Sequence, residues 1–169
     1  MAEPVIDVSI TIATCCRAAM LCDLLAHLLP QAEAVPFRTE FVIVDDGSTD
    51  CTPGILLAFQ QYARVPVIIV RGEGTGIAAA RNLAVAHSNG TWLACCDDDQ
   101  ITAPDWLYSL YEAALQTSAD FAGGSMRLHL PATFQSSTVP APVVCLANSA
   151  SSANREAYPR ARTLQPITC

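Results

Sequence analysis

Short β-rich apolar runs alternate with amphipathic helical patterns along this chain, and that alternation restricts its fold more than any other feature. Val8 to Ala13 is a compact β-rich run, after which Leu21, Leu24, Leu25, Leu28 and Leu29 recur at the spacing of one buried helix face. Pro30 is expected to close that helix. Phe41 to Val44 reads as a second strand, and Gly47-Ser48-Thr49-Asp50 as a turn with capping residues. Pro53 suits the first turn of a helix with Ile55, Leu56, Phe59 and Tyr62 on its apolar face. Val65 to Val70 is a third strand, followed by a permissive loop with Gly72, Gly74 and Gly76. An alanine-rich helix from Ile77 to His87 then ends at Asn89-Gly90. Thr91 to Cys96 is a fourth strand running into Asp97-Asp98-Asp99. Pro104 and Asp105 open a helix with Leu107, Leu110, Tyr111, Ala114 and Leu115 on one face. Phe121 to Leu130 supplies a fifth strand, with Gly123-Gly124 as a bulge or close approach.

Repeated strand–helix units of this kind predict an α/β fold: a mostly parallel, Rossmann-like sheet with helices on both faces. Residues 1–130 make one domain in this reading. Residues 131–169 are rich in Ser, Ala, Pro and Thr, carry only a short apolar run at Val143 to Leu146, and read as a poorly specified tail.

Composition narrows the function. Hydrophobic residues are 51% of the chain, enough for a real core. The net charge of −7 sets 16 acids against nine arginines, with no lysine at all. A phosphate-loop lysine, a Schiff-base lysine and a kinase-type lysine are thereby excluded. So is the cationic footprint that nucleic-acid binding needs. Eight cysteines lack any C-x-x-C pair, and the adjacent pairs Cys15-Cys16 and Cys95-Cys96 lie in or beside strands, where neighbours face opposite ways. They are expected to be small buried hydrophobes in a reducing compartment rather than zinc ligands. Without a signal-peptide pattern or an apolar run of about 18 residues, the expectation is a cytoplasmic protein with no transmembrane segment.

In open α/β sheets, ligands bind beyond the carboxyl ends of the strands, at the switch in strand order. Asp45-Asp46 ends the second strand and Asp97-Asp98-Asp99 the fourth. Three consecutive carboxylates need a cation or several donors to remain ionised. Hard oxygen ligands suit Mg²⁺ or Mn²⁺ shared with substrate phosphates. Asp50 reads instead as a helix cap, and Asp105 as a first-turn acid that complements the helix dipole.

Val8-Ser9-Ile10-Thr11-Ile12-Ala13-Thr14, Asp45-Asp46-Gly47-Ser48-Thr49-Asp50, Ala80-Arg81-Asn82 and Asp97-x-Asp99 with Pro104-Asp105 occur in that order. Together they resemble glycosyltransferase family 2, over roughly residues 6–127. The resemblance implies a GT-A fold and inverting transfer from a nucleotide-diphospho-sugar, by default a UDP-sugar with thymidine and guanosine diphosphate sugars open, to an unknown acceptor. It implies that Ala13 and Thr14 border the nucleobase and that Asp46 accepts a hydrogen bond from it. Asp45 would support that loop, Arg81 would face the phosphates, Asp97 would lie near the ribose with Asp98 beside it, and Asp99 would coordinate the metal. Family members often carry a proline and then Thr-Tyr-Asn after the first strand; Ala13, Cys15 and Cys16 replace the proline, tyrosine and asparagine here. The base pocket therefore lacks an aromatic at that point.

Inverting transfer also needs a general base. Past the aspartate motif, Glu156 is the candidate, since Asp105 and Glu112 belong to a helix and Asp120 precedes a strand; set beside the family, residues 131–169 are expected to be an incomplete or diverged acceptor-side tail. A nucleotide-sugar-binding protein without catalysis is the alternative expectation. An aspartate-nucleophile phosphatase is disfavoured by Ile101 and by the missing lysine. His27 reads as partly exposed on its helix, His87 as placed near a helix C-terminus to interact with the dipole when protonated, and His129 shows no partner in the sequence. Trp92 and Trp106 read as packing aromatics, with Trp106 close enough to the metal motif to border an acceptor sugar.

Overall fold

The structure, a computed structural model, describes residues 5–125 and 143–148. Its strands are β1 (Val8–Thr14), β2 (Thr39–Asp45), β3 (Val67–Arg71), β4 (Trp92–Asp97), β5 (Phe121–Ser125) and β6 (Val143–Asn148). The helices are α1 (Ala18–Ala34), α2 (Thr52–Tyr62), α3 (Ile77–Ala86) and α4 (Trp106–Thr117). The six strands form one sheet in the order β3-β2-β1-β4-β6-β5. β1 lies parallel to both β2 and β4, and β2 parallel to β3. β6 runs antiparallel between β4 and β5. The run at Val143 to Leu146, set apart from the sheet in the sequence reading, thus enters it as an inner strand.

Strand alternation sorts the core into two layers. Val8, Ile10 and Ile12 of β1, Phe41 and Ile43 of β2, and Trp92, Ala94 and Cys96 of β4 pack against α1, α2 and α4. The opposite face carries Ala13, Val42 and Val44 against Ala80 and Ala84 of α3. The chain moves outward from β1 to β3 with helices on one face. It then reverses across α3 on the other face to reach β4, as right-handed crossovers require. The reversal opens a crevice beside the carboxyl ends of β1 and β4.

At the amino end of the sheet, Glu40 is 2% exposed. It accepts hydrogen bonds from the Ser9 hydroxyl at 2.6 Å and from the Asn89 backbone N–H at 2.7 Å. Ser9 Oγ in turn accepts the Gly90 N–H at 2.7 Å. This network fixes the entry to β4.

Several expectations change. Pro30 lies inside α1 instead of ending it. It removes one amide donor, but Ala26, whose carbonyl is thereby freed, is solvent-exposed, so water can satisfy it. Tyr62 is 80% exposed because it is the last residue of α2, beyond the face that packs on the sheet. Trp92 and Trp106, by contrast, both belong to the core, as their reading as packing aromatics has it. Of the six cysteines whose side chains are described, all free thiols, only Cys96 is buried; Cys15, Cys16, Cys22 and Cys51 are exposed, on helix surfaces or in loops outside the sheet.

Candidate functional site

Parallel registration brings the sequence motifs together. Thr14 at the end of β1 stands beside Asp45 of β2 on one side, while Ala13 stands beside Asp97 of β4 on the other. A cleft of about 670 Å³ opens over these strand ends. Ala13, Thr14 and Asp46 form its β1–β2 side, and Asp97, Asp98 and Asp99 its β4 side. Arg81 reaches it from α3. Of the residues expected at the site, Asp45 lies beneath the lining. Glu156 and His129 fall outside the described residues.

Asp45 is 2% exposed and organises the turn that follows it. Its Oδ1 accepts the Ser48 N–H at 2.9 Å, and its Oδ2 pairs with Arg71. Arg71 also donates to the Ser48 carbonyl at 3.0 Å, closing a small ring of contacts under the turn. Gly47 at φ +86° completes the bend in a conformation that disfavours other residues.

Asp46 is held by the glycine loop. Its Oδ1 accepts the Gly74 N–H at 2.9 Å and its Oδ2 the Gly76 N–H at 2.8 Å. A Cβ on Gly72 would stand 2.5 Å from Asp46 Oδ1, so only glycine lets the loop lie this close. The alternating glycines, which lack a dinucleotide fingerprint, shape the wall around Asp46. Each carboxylate oxygen retains a free lone pair for a further donor.

The three aspartates at the end of β4 and just beyond it differ in environment. Asp97 pairs with Arg81 of α3. Asp98 is buried, and its Oδ2 accepts the Thr14 hydroxyl at 2.7 Å. Burial pushes its carboxyl above the usual range, while the Thr14 hydrogen bond and the Arg17 charge pull it back. Asp99 is half-exposed at the rim. Arg17 was not foreseen from the sequence: its Nη1 lies 3.2 Å from Asp98 Oδ1 and 3.1 Å from Asp99 Oδ2. Its position just after β1 would have been the signal, but only the adjacency of β1 and β4 directs it toward these carboxylates.

Asp50 and Asp105 behave as helix-terminal residues. Asp50 Oδ1 accepts the Thr52 N–H at 3.0 Å, and Asp105 precedes α4, accepting the Ser109 hydroxyl at 2.9 Å. His27 and His87 are exposed, each with Nδ1 close to a backbone carbonyl of its own helix.

Among the described residues, no three His, Cys, Asp or Glu side chains are grouped to hold an ion by themselves. The donor set does fit a hard divalent cation that completes its shell from water and phosphate, because Mg²⁺-type sites commonly use only one or two carboxylates. Asp97 and Asp99, at 45% and 51% side-chain exposure, can offer theirs.

The family model described as glycosyl transferase family 2 matches residues 9–163. Glycosyltransferase GlyG of Streptococcus pneumoniae serotype 4 is 31% identical over 106 residues, which is 62% of this chain and 34% of GlyG. The succinoglycan biosynthesis protein ExoO of Rhizobium meliloti is 34% identical over 83 residues, 49% of this chain and 23% of ExoO. The chain thus spans about a third or less of the length of these curated relatives. Among solved structures, TarS 1–349 of S. aureus superposes with a TM-score of 0.70 at 18% identity, covering 90% of this chain and 49% of TarS 1–349. The same protein in complex with UDP-GlcNAc gives 0.62 at 23% identity, over 69% of this chain and 33% of that one. The mannosyltransferase PcManGT of Pyrobaculum calidifontis, in complex with GDP-Man and Mn²⁺, gives 0.60 at 22% identity, over 70% and 35%. The fold is of the GT-A type.

Proposed function

The chain belongs to glycosyl transferase family 2, and from that premise we propose that its cleft holds a nucleotide-diphospho-sugar whose sugar is transferred, with inversion, to an acceptor hydroxyl. The observation that carries this reading is the convergence of Asp46, Arg81 and the Asp97–Asp99 run in one cleft over the carboxyl ends of the sheet. Its volume is within the range of sites for small molecules.

Each residue has a task in this reading. Asp46, fixed by Gly74 and Gly76, orients an acceptor oxygen toward the nucleobase. Ala13 and Thr14 form the edge beside the base, and Asp45 supports the turn from below. Asp97 lies toward the ribose, next to Asp98, whose link to Thr14 joins the two sides of the cleft. Arg81 gives a bidentate donor to the diphosphate. Asp99, with Asp97 close by, would hold Mg²⁺ or Mn²⁺; such an ion stabilises the charge that gathers on a leaving diphosphate. Uridine is the default base, as in the TarS complex with UDP-GlcNAc, with thymidine and guanosine open, the latter being the base in the PcManGT complex with GDP-Man. The acceptor is open, and Glu156 is the candidate base that removes its proton.

Calorimetric titration of UDP into the protein, with and without Mn²⁺, tests the donor site. We expect metal-dependent binding that disappears in Asp99→Ala. No binding by folded wild type would defeat the reading. Binding without sugar transfer or donor hydrolysis would leave a nucleotide-sugar-binding protein in place of an enzyme.

A further inference from the structure

Arg17 is the cation of the cleft for which the family motifs give no role, and its geometry is unusual. One nitrogen, Nη1, bridges two carboxylates, reaching Asp98 Oδ1 at 3.2 Å and Asp99 Oδ2 at 3.1 Å. The two acids are not equivalent. Asp98 is 7% exposed at its side chain and tied to Thr14, whereas Asp99 is 51% exposed with an open side toward solvent. Arg17 itself is half-exposed, on a long stem at the start of α1. The contact to buried Asp98 is therefore the anchored one, and the contact to Asp99 is the one that can be exchanged.

The Asp99 oxygen bonded to Arg17 belongs to the carboxylate assigned above to a divalent ion. A guanidinium and a metal ion cannot both approach that oxygen closely without strong like-charge repulsion. We propose that Arg17 is the resident counter-cation of the Asp98–Asp99 pair and competes directly with the divalent cation for Asp99. Metal binding then requires Arg17 to release Asp99, and a nucleotide diphosphate supplies the anionic oxygens that receive the freed guanidinium. This hand-over rests on the nucleotide-sugar reading, but the competition at Asp99 does not. Arg17 is a positioning residue in this scheme: it offsets the repulsion between two adjacent carboxylates and couples metal entry to diphosphate entry. Arg81 performs the analogous pairing with Asp97 alone, on the α3 side of the cleft.

The test is Mn²⁺ affinity of the full chain without nucleotide, read from the electron paramagnetic resonance signal of free Mn²⁺. Arg17→Gln is expected to bind Mn²⁺ about tenfold more tightly than wild type, the effect of removing one competing charge-assisted contact. Arg17→Lys, which keeps the charge but lacks the planar fork, should fall between the two. A merely structural role would weaken Mn²⁺ binding or leave it unchanged. In a second arm with Mn²⁺ present, UDP affinity should fall about tenfold in Arg17→Gln, since the diphosphate loses a cationic partner. Equal or weaker Mn²⁺ binding by both variants, with unfolding midpoints matching wild type, overturns the competition. UDP binding by no form overturns the nucleotide reading and the hand-over with it, while the Mn²⁺ comparison still decides the competition.

Discussion

Cys16 stands at φ 52°, in the left-handed region that a residue with a Cβ seldom occupies, on the turn between β1 and α1. Its N–H donates to Ser48 Oγ at 2.8 Å, and its Sγ accepts the Thr49 N–H at 3.4 Å. That backbone hydrogen bond is the main reason its thiol ionises below the ordinary value. The neighbouring Cys15 is shifted upward, first by desolvation and then by Cys16. A lower value means more thiolate at a given pH, and the thiolate is the nucleophile. Iodoacetamide labelling across a pH series, resolved by peptide mass spectrometry, should therefore modify Cys16 at lower pH than Cys15. The reverse order would contradict the Thr49 contact. Residues of this kind mark the limit of sequence reading. Asp46 and Asp97–Asp99 were legible because carboxylates at strand ends demand partners. Arg17 and Cys16 were not, because their partners lie on the turn after β4 and on the turn after β2, remote in sequence.

Elements place such residues through backbone constraints that composition only hints at. The loop between β3 and α3 wraps Asp46, and the substitution Gly72→Ala tests how much depends on that close approach. Its new Cβ would meet Asp46 Oδ1 at 2.5 Å and Asp46 Cα at 3.0 Å. We expect UDP affinity to drop on the order of tenfold, about 1.4 kcal/mol, with little change in the thermal midpoint. Calorimetry and thermal unfolding together check this, and unchanged affinity would mean that the loop yields without consequence. At the opposite end of the sheet, Glu40→Gln gives the converse pattern. It leaves the shape but removes an acceptor from the Ser9–Asn89 network, costing roughly 1–3 kcal/mol of stability. Urea unfolding should show that loss while UDP binding stays at the wild-type level. Helix α1 carries the other lesson at this scale: its leucine spacing was readable, but Pro30 stopped nothing, since one missing amide near a solvent-facing carbonyl is tolerable when a buried stripe holds the helix down.

In the whole molecule, the strand order makes the site. β4 returns to lie beside β1, and that single adjacency sets Asp97–Asp99 opposite Thr14 and Arg17. β6 then covers the outer edge of β4 and links it to β5. A chain ending at residue 130 would leave Trp92–Ala94 of β4 and all of β5 without their hydrogen-bonded partner. Exposed strand edges recruit other chains, so this shortened form should self-associate and unfold at lower temperature than the full chain. Light scattering and thermal unfolding would show it; a monomer with an unchanged midpoint would mean that β6 is dispensable and that residues 1–130 do form a self-sufficient domain. By itself the sequence determined the alternating elements, the two-faced packing and the acids at the strand ends, because hydrophobic period and local turn chemistry are written in neighbouring residues. Tertiary structure alone decided that β6 enters the sheet, that the glycine loop grips Asp46, and that Arg17 spans Asp98 and Asp99. Those contacts join residues far apart in the chain, and only the closing of the sheet brings them within reach of one another.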